Sequence, residues 1–370
     1  MDLVNHTPLT ADLTTADLPD TENPTGIPAA IPGNMRRFGV LVAKATFTFG
    51  ADGTASLDTD APLAIFYQDQ ETDLGLLPRD DLPREDDVFE VILLGRARPL
   101  PGDPPGQARV KLKVGQVSRE MLVFGNRIWQ GSDSEAQPSE PGPVDGIPLI
   151  WDNAFGGQVD IEIDHEAFVS IADSGNSRGK GIEVLQRARE ICDLMSSPEG
   201  YPRVPEQRPL PNLEDPATPI VAWDDEPRPY CWATVPMDSG VHAERGTEPP
   251  EDPGQPLLVT PGIHHRAHPD WVIALPLAGA SVVLEGAGPG GQWRFEMPRL
   301  RVFADYVVGT ARGRDELVPQ LLLLLAEERR CILVYKRVFE FPFEQGVERS
   351  VRLRTAEGWF GAPLEEGALK

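Results

Sequence analysis

The sequence predicts a mainly β protein: multi-stranded antiparallel sheets, sandwich-like and arranged in one or two lobes, with one amphipathic helix near 182–195 and a proline-rich irregular segment. Three observations predict it. Glycine and proline number 35 and 38 in 370 residues, which favours short strands joined by turns over long helices. Apolar residues recur with period two in stretch after stretch, while only Ile182, Leu185, Ala188, Ile191, Cys192 and Met195 line up as a helical stripe. Hydrophobic residues make up 40% of the chain, enough for a sizeable core.

Taken in order, residues 1–35 are polar, acidic and broken by Pro19, Pro24, Pro28 and Pro32, and read as an extended arm. Phe38 to Phe49 is a strand with Leu41, Ala43, Ala45, Phe47 and Phe49 on a core face, and with Lys44, Thr46 and Thr48 on a face that becomes wet toward its end. Asp52-Gly53 is a hairpin turn, with return strands expected among Leu57, Leu63, Ile65 and Phe66. Val88 to Ala97 is a second strand. Val110 to Phe124 is a hairpin turning at Gly115-Gln116. Residues 132–146 read as an exposed connection, and Val159 to Ile163 as a short strand. Between Pro198 and Pro256 lie 14 of the 38 prolines, but Trp223, Tyr230, Cys231 and Trp232 supply anchors that a free spacer lacks. Strands return at Trp271 to Leu277, Ser281 to Glu285, Gln292 to Met297 and Arg301 to Val308. Leu321 to Leu325 reads as one arm of a hairpin with Cys331 to Phe343, against the helix propensity of leucine. The expected organisation is a β-rich lobe over 1–165, a helix plus irregular segment over 166–256 and a second β-rich lobe over 257–370, with a single compact unit as the alternative.

Charge bounds the partners. The formal net charge is −24 with a pI near 4.6, which repels phosphate backbones and anionic headgroups, so no nucleic acid and no membrane surface is expected. No run of 18 apolar residues and no signal peptide is evident, so the expected location is the cytoplasm, without membrane insertion. Cys192, Cys231 and Cys331 are widely spaced, which suits a reducing compartment.

Motifs that suggest chemistry have competing readings. Gly286 to Gly291, GAGPGG, resembles a dinucleotide loop, but Pro289 interrupts it and a strand-like QWRFEM follows, so it reads as a hairpin turn. Ser174 to Gly181, SGNSRGKG, is one residue short of a P-loop, and Gly181 stands where Ser or Thr would hold Mg²⁺. Asn176, Arg178 and Lys180 remain candidates to hold a partner carboxylate at the start of the expected helix. His264, His265 and His268, beside Asp270, are the metal-like cluster, and they read more simply as loop histidines. In WDNAFGG, Trp151 to Gly157, two large apolar groups sit four apart and Gly156-Gly157 permits a tight turn or a close backbone approach. Trp129, Trp151 and Phe155 are either core or interface. No HExxH and no cofactor motif occurs.

The ordered set VLVAKATF, LLGRARP, VKLKVG followed by LVFGNRIW, WDNAFGG, GNSRGKG, LPNLEDP (Leu210 to Pro216), the Ala274 to Met297 strands and CILVYKRVF resembles a bacterial domain-of-unknown-function family encoded beside type VI secretion effectors and spike proteins. The resemblance runs from about Asn5 to Phe343; Ser177 departs from it, where that family commonly carries proline. It implies a non-enzymatic, cofactor-free effector chaperone or adaptor, whose partners are a cognate secreted effector and a PAAR- or VgrG-type spike protein. Two other readings stand beside it: a carboxylate- or metal-dependent hydrolase, and a structural spike-associated component without a client.

Overall fold

The computed structural model describes residues 2–17, 36–50, 52–82, 88–131, 135–164, 167–181, 207–237, 239, 241, 265–275, 279–342, 349–363 and 369. Among them the protein is mainly β, in several mostly antiparallel sheets, and its helical turns are short 3-10 segments such as Trp151–Asn153 and Pro269–Trp271. The amphipathic helix expected over 182–195 lies outside the described residues.

The largest sheet is built on Arg36–Phe49. On one side it pairs antiparallel with Arg330–Pro342; on the other it pairs with Thr10–Asp17 and, beyond the Asp52-Gly53 turn, with Ala55–Leu57. Arg330–Pro342 continues to Val318–Leu325, which runs parallel to Val88–Leu94, and Val272–Ala274 closes the order. The leucine run is thus the hairpin arm the sequence predicts. Leu321 to Leu325 are buried on both faces between two strands, where an unbroken apolar run fits better than an alternating one.

A second, five-stranded sheet orders Leu213–Glu214, Val117–Phe124, Gln107–Val114, Ser281–Glu285 and Gln292–Glu296, all antiparallel. The Gly115-Gln116 turn and the GAGPGG turn both make the hairpins expected of them, Gly286 N–H donating to the Gly291 carbonyl at 2.7 Å. A four-stranded sheet orders Asp2–Asn5, Arg349–Ala356, Arg301–Val308 and Ala311–Glu316. Inward residues of all three sheets merge in one buried cluster. Both larger sheets interleave strands from 1–165 with strands from 257–370.

Two expectations need correction. Residues 2–17 are not an extended arm: Asp2–Asn5 pairs in parallel with Arg349–Ala356, and Thr10–Asp17 extends the largest sheet. Leu63 and Ile65 pack against the core and the Phe66 ring lies 4.5 Å from Lys44 Nζ, none of the three in a strand. The polar face of Phe38 to Phe49 is covered at Lys44 and Thr46, each 2% exposed, and only Thr48, at its end, is half-buried. The loop that follows Leu57 covers them: Thr46 Oγ1 accepts from Leu63 N–H at 2.9 Å, and Lys44 Nζ donates to the Ala64 carbonyl at 2.8 Å. The acid that meets Lys44 under this loop is Asp80. Asp80 is buried, lies 2.6 Å from Lys44 Nζ and accepts from Phe66 N–H at 2.7 Å. Desolvation pushes the Lys44 ammonium below its usual value, against the pull of Asp80.

A second charge set ties the loop at 69–79 to the segment after residue 264. Arg266 forks onto Asp69 at 2.9 and 2.7 Å, and Glu90 accepts from Arg266 N–H at 2.7 Å. Burial alone would raise the Asp69 carboxyl, but the hydrogen bonds and charge of Arg266, helped by Arg79, outweigh it and hold Asp69 below 3.8.

Removing one member of the buried pair leaves the other uncompensated, so Lys44→Met lowers stability by about 3–5 kcal/mol, and Lys44→Met with Asp80→Asn recovers part of the loss; urea unfolding midpoints measure both. Because the folded Asp69 carboxyl lies below its unfolded value, its stabilisation is complete above that unfolded value and is lost as pH falls through the folded one. Asp69→Asn therefore flattens the fall in stability as pH drops below the ordinary carboxylate range, read by thermal melts at successively lower pH.

Candidate functional site

The WDNAFGG segment begins as a 3-10 turn, Trp151–Asn153, and straightens at Ala154. Phe155–Gly156 then pairs in parallel with Lys180–Gly181, and Ala154 bridges Leu213. Asn176, 2% exposed, fastens this crossing. Its side-chain amide donates to the carbonyls of Trp151 at 2.8 Å and Phe155 at 2.9 Å, and its own carbonyl accepts from Gly157 N–H at 2.7 Å. The approach requires glycine. A Cβ on Gly156, whose φ is +133°, would stand 2.2 Å from the Asn176 carbonyl oxygen, and one on Gly179 would stand 2.6 Å from that of Ala154.

Neighbouring motifs close on the same corner. Asn212 of LPNLEDP donates its backbone N–H to Asn153 at 2.8 Å and its side-chain amide to the Phe124 carbonyl at 2.9 Å, while its Oδ1 accepts from Lys180 Nζ at 2.8 Å. Arg127 of FGNRIW, buried, pairs with buried Glu214 and donates to the Pro211 carbonyl at 2.9 Å. Trp151 belongs to the main core and donates from Nε1 to the Ala233 carbonyl at 3.2 Å. Phe155 and Trp129 belong instead to a separate cluster with Leu210 and Ile220, so the two aromatics four apart anchor different cores.

The sequence candidates therefore divide. Trp129, Trp151, Phe155, Gly156, Gly157, Asn176 and Lys180 come together in this corner, where Asn176 bonds Trp151, Phe155 and Gly157 while Trp151 Nε1 and Lys180 Nζ are taken up by Ala233 and Asn212. Arg178 does not join them; it is exposed and faces Glu71 at 3.3 Å, so it and Lys180 do not converge on one ligand. His264 lies outside the described residues. His265 and His268 are buried: His265 Nδ1 is 3.8 Å from Glu90, and His268 Nδ1 accepts from Asp270 N–H at 3.2 Å while its ring meets Tyr230. Among the described residues no three His, Cys, Asp or Glu side chains are grouped to hold a metal. Cys231 is also buried, and desolvation pushes its thiol up to about 12, far from a reactive thiolate at neutral pH.

Away from this corner lies an open cleft of about 1250 Å³. One wall is Gln292–Glu296, the last strand of the five-stranded sheet; the other is the hairpin around Asp52-Gly53. The strand alternates, with Gln292, Arg294 and Glu296 exposed and Trp293 and Phe295 buried. Phe49 meets Phe295 at 4.2 Å and Trp293 at 5.3 Å between ring centroids, giving the cleft an aromatic floor. The hairpin tip touches the strand, since a Cβ on Gly53 would stand 2.9 Å from the Arg294 carbonyl oxygen. Sequence reading found the turn and the strand separately; no signal within either says that they face each other.

A family model described as an uncharacterized protein conserved in bacteria, DUF2169, matches residues 34–336. The chain belongs to this family. No curated protein and no solved structure matches it. The DUF2169 span contains every motif of the packed corner and both walls of the cleft, whereas Asp2–Asn5 and Arg349–Ala356 lie outside it. No helix among the described residues is long and apolar enough to cross a membrane.

Gly156→Ala forces a side chain into the Asn176 carbonyl and costs roughly 3 kcal/mol or more, whereas Asn176→Ala strips the donor from two carbonyls and costs about 1–3 kcal/mol. Chemical denaturation of the two variants should reproduce that order.

Proposed function

We propose that this DUF2169 chain is a cytoplasmic adaptor or chaperone for type VI secretion, binding a cognate secreted effector, or a PAAR- or VgrG-type spike protein, and helping to load the effector on the spike. The ordered motifs described above suggest the system. The observation that carries the binding role is the cleft along the edge strand Gln292–Glu296. An edge strand presents main-chain donors and acceptors that an added strand can satisfy, and the groove beside it accommodates the incoming side chains. The packed corner then serves as scaffold, holding Val117–Phe124 and through it the sheet whose far edge is the cleft.

Co-expression with the neighbouring effector should raise its soluble yield and give a co-eluting complex in which the amides of residues 292–296 exchange more slowly than in the free chain. A folded effector that never co-elutes overturns the adaptor reading; a complex with unchanged exchange at 292–296 keeps the adaptor and removes the cleft. Gln292→Lys with Glu296→Lys, which charges the edge, should weaken association about tenfold at unchanged melting temperature.

A further inference from the structure

The four-stranded sheet turns toward solvent a face whose charge opposes that of the chain. Strand alternation and register place Arg352 and Arg354 of Arg349–Ala356, Asp305 and Val307 of Arg301–Val308, and Arg312 and Arg314 of Ala311–Glu316 on this face. Asp305 is overcommitted. Its Oδ1 accepts from Arg314 Nε and its Oδ2 from Arg354 Nε at 2.9 Å, and those two bonds hold its carboxyl below the usual range, Arg314 contributing most. Arg352 stands directly opposite Asp305 in the register, and Arg312 opposite Val307; both are exposed, and neither has a carboxylate partner among the described residues. Among the described residues the remaining acid on this face is Asp2, at its corner beside Ser350. At the other end Arg301 and Glu316 neutralise each other through two 2.7 Å bonds. Beyond that neutral pair, a chain of net charge −24 carries one face on which, among the described residues, four arginines meet two carboxylates.

We propose that this arginine face docks a short acidic segment of a partner protein, with Arg312 and Arg352 each taking a carboxylate. The inference stands on charge placement and not on the cleft. Guanidinium forks match carboxylates two bonds at a time. Across the strand between them, Arg312 and Arg352 are set about 12 Å apart by strand spacing and rise, which carboxylates three or four residues apart in an extended chain span. A nucleic acid fits poorly, because a long polyanion meets the repulsion of the whole acidic molecule, whereas a short peptide lies within about one Debye length of the face.

The test is fluorescence anisotropy on the full chain with a labelled twelve-residue peptide bearing four glutamates at three- and four-residue spacing. Binding should be measurable at low salt and fall at physiological salt. Arg312→Glu with Arg352→Glu should weaken it at least tenfold while leaving the melting temperature unchanged, and a lysine-bearing peptide should bind that variant better than it binds the parent. Equal binding by the variant overturns the proposal, as does an oligonucleotide of twenty bases that binds as tightly as the peptide. Salt-sensitive self-association in sedimentation, abolished by the same variant, also overturns it by assigning the face to a second copy of the chain.

Discussion

The architecture depends on a crossing of two backbones so close that no side chain fits between them. Gly156 and Gly179 supply the missing Cβ atoms, and the Asn176 amide occupies the carbonyls that such an approach would otherwise leave without donors. Everything attached to this crossing inherits its position. Lys180 reaches Asn212, Asn212 reaches Phe124, and Phe124 ends the strand that orders the five-stranded sheet. Trp151 and Phe155, sent in opposite directions from one turn, bind that corner to two cores.

Burial on both faces of the largest sheet has an electrostatic consequence. Arg36–Phe49 carries a lysine on a face that the loop after Leu57 covers, so the charge persists only because Asp80 meets it and because Phe66 places a ring 4.5 Å from it. Arg266 and Asp69 repeat the pattern, with Glu90 accepting from the Arg266 backbone N–H. These pairs say little about net stability, since apolar substitutes of equal volume could do as well. What they specify is which loop covers which strand.

The two exposed candidate surfaces draw on different physics. The cleft offers main-chain hydrogen bonds over an aromatic floor, an interaction that screens weakly with salt. The arginine face offers point charges whose pull fades with ionic strength, and it uses strands outside the span matched by the family. One surface lies within the matched span; the other lies partly outside it.

By itself, the sequence determined the β class, the hairpins at Gly115-Gln116 and Gly286 to Gly291, and the strand identity of the leucine run, because alternation and turn chemistry are local properties of a dozen residues. It also marked the corner, since two large aromatics four apart followed by paired glycines stand out in the chain. Only the tertiary structure decided which faces are wet. Lys44 looks exposed until a loop twenty residues later covers it, and the leading segment looks like an arm until Arg349–Ala356 offers its edge. The same holds for function: Asp52-Gly53 and Arg294 are some 240 residues apart along the chain, and their apposition, like that of Arg312 and Arg352, is created by pairing between distant strands that no local pattern encodes.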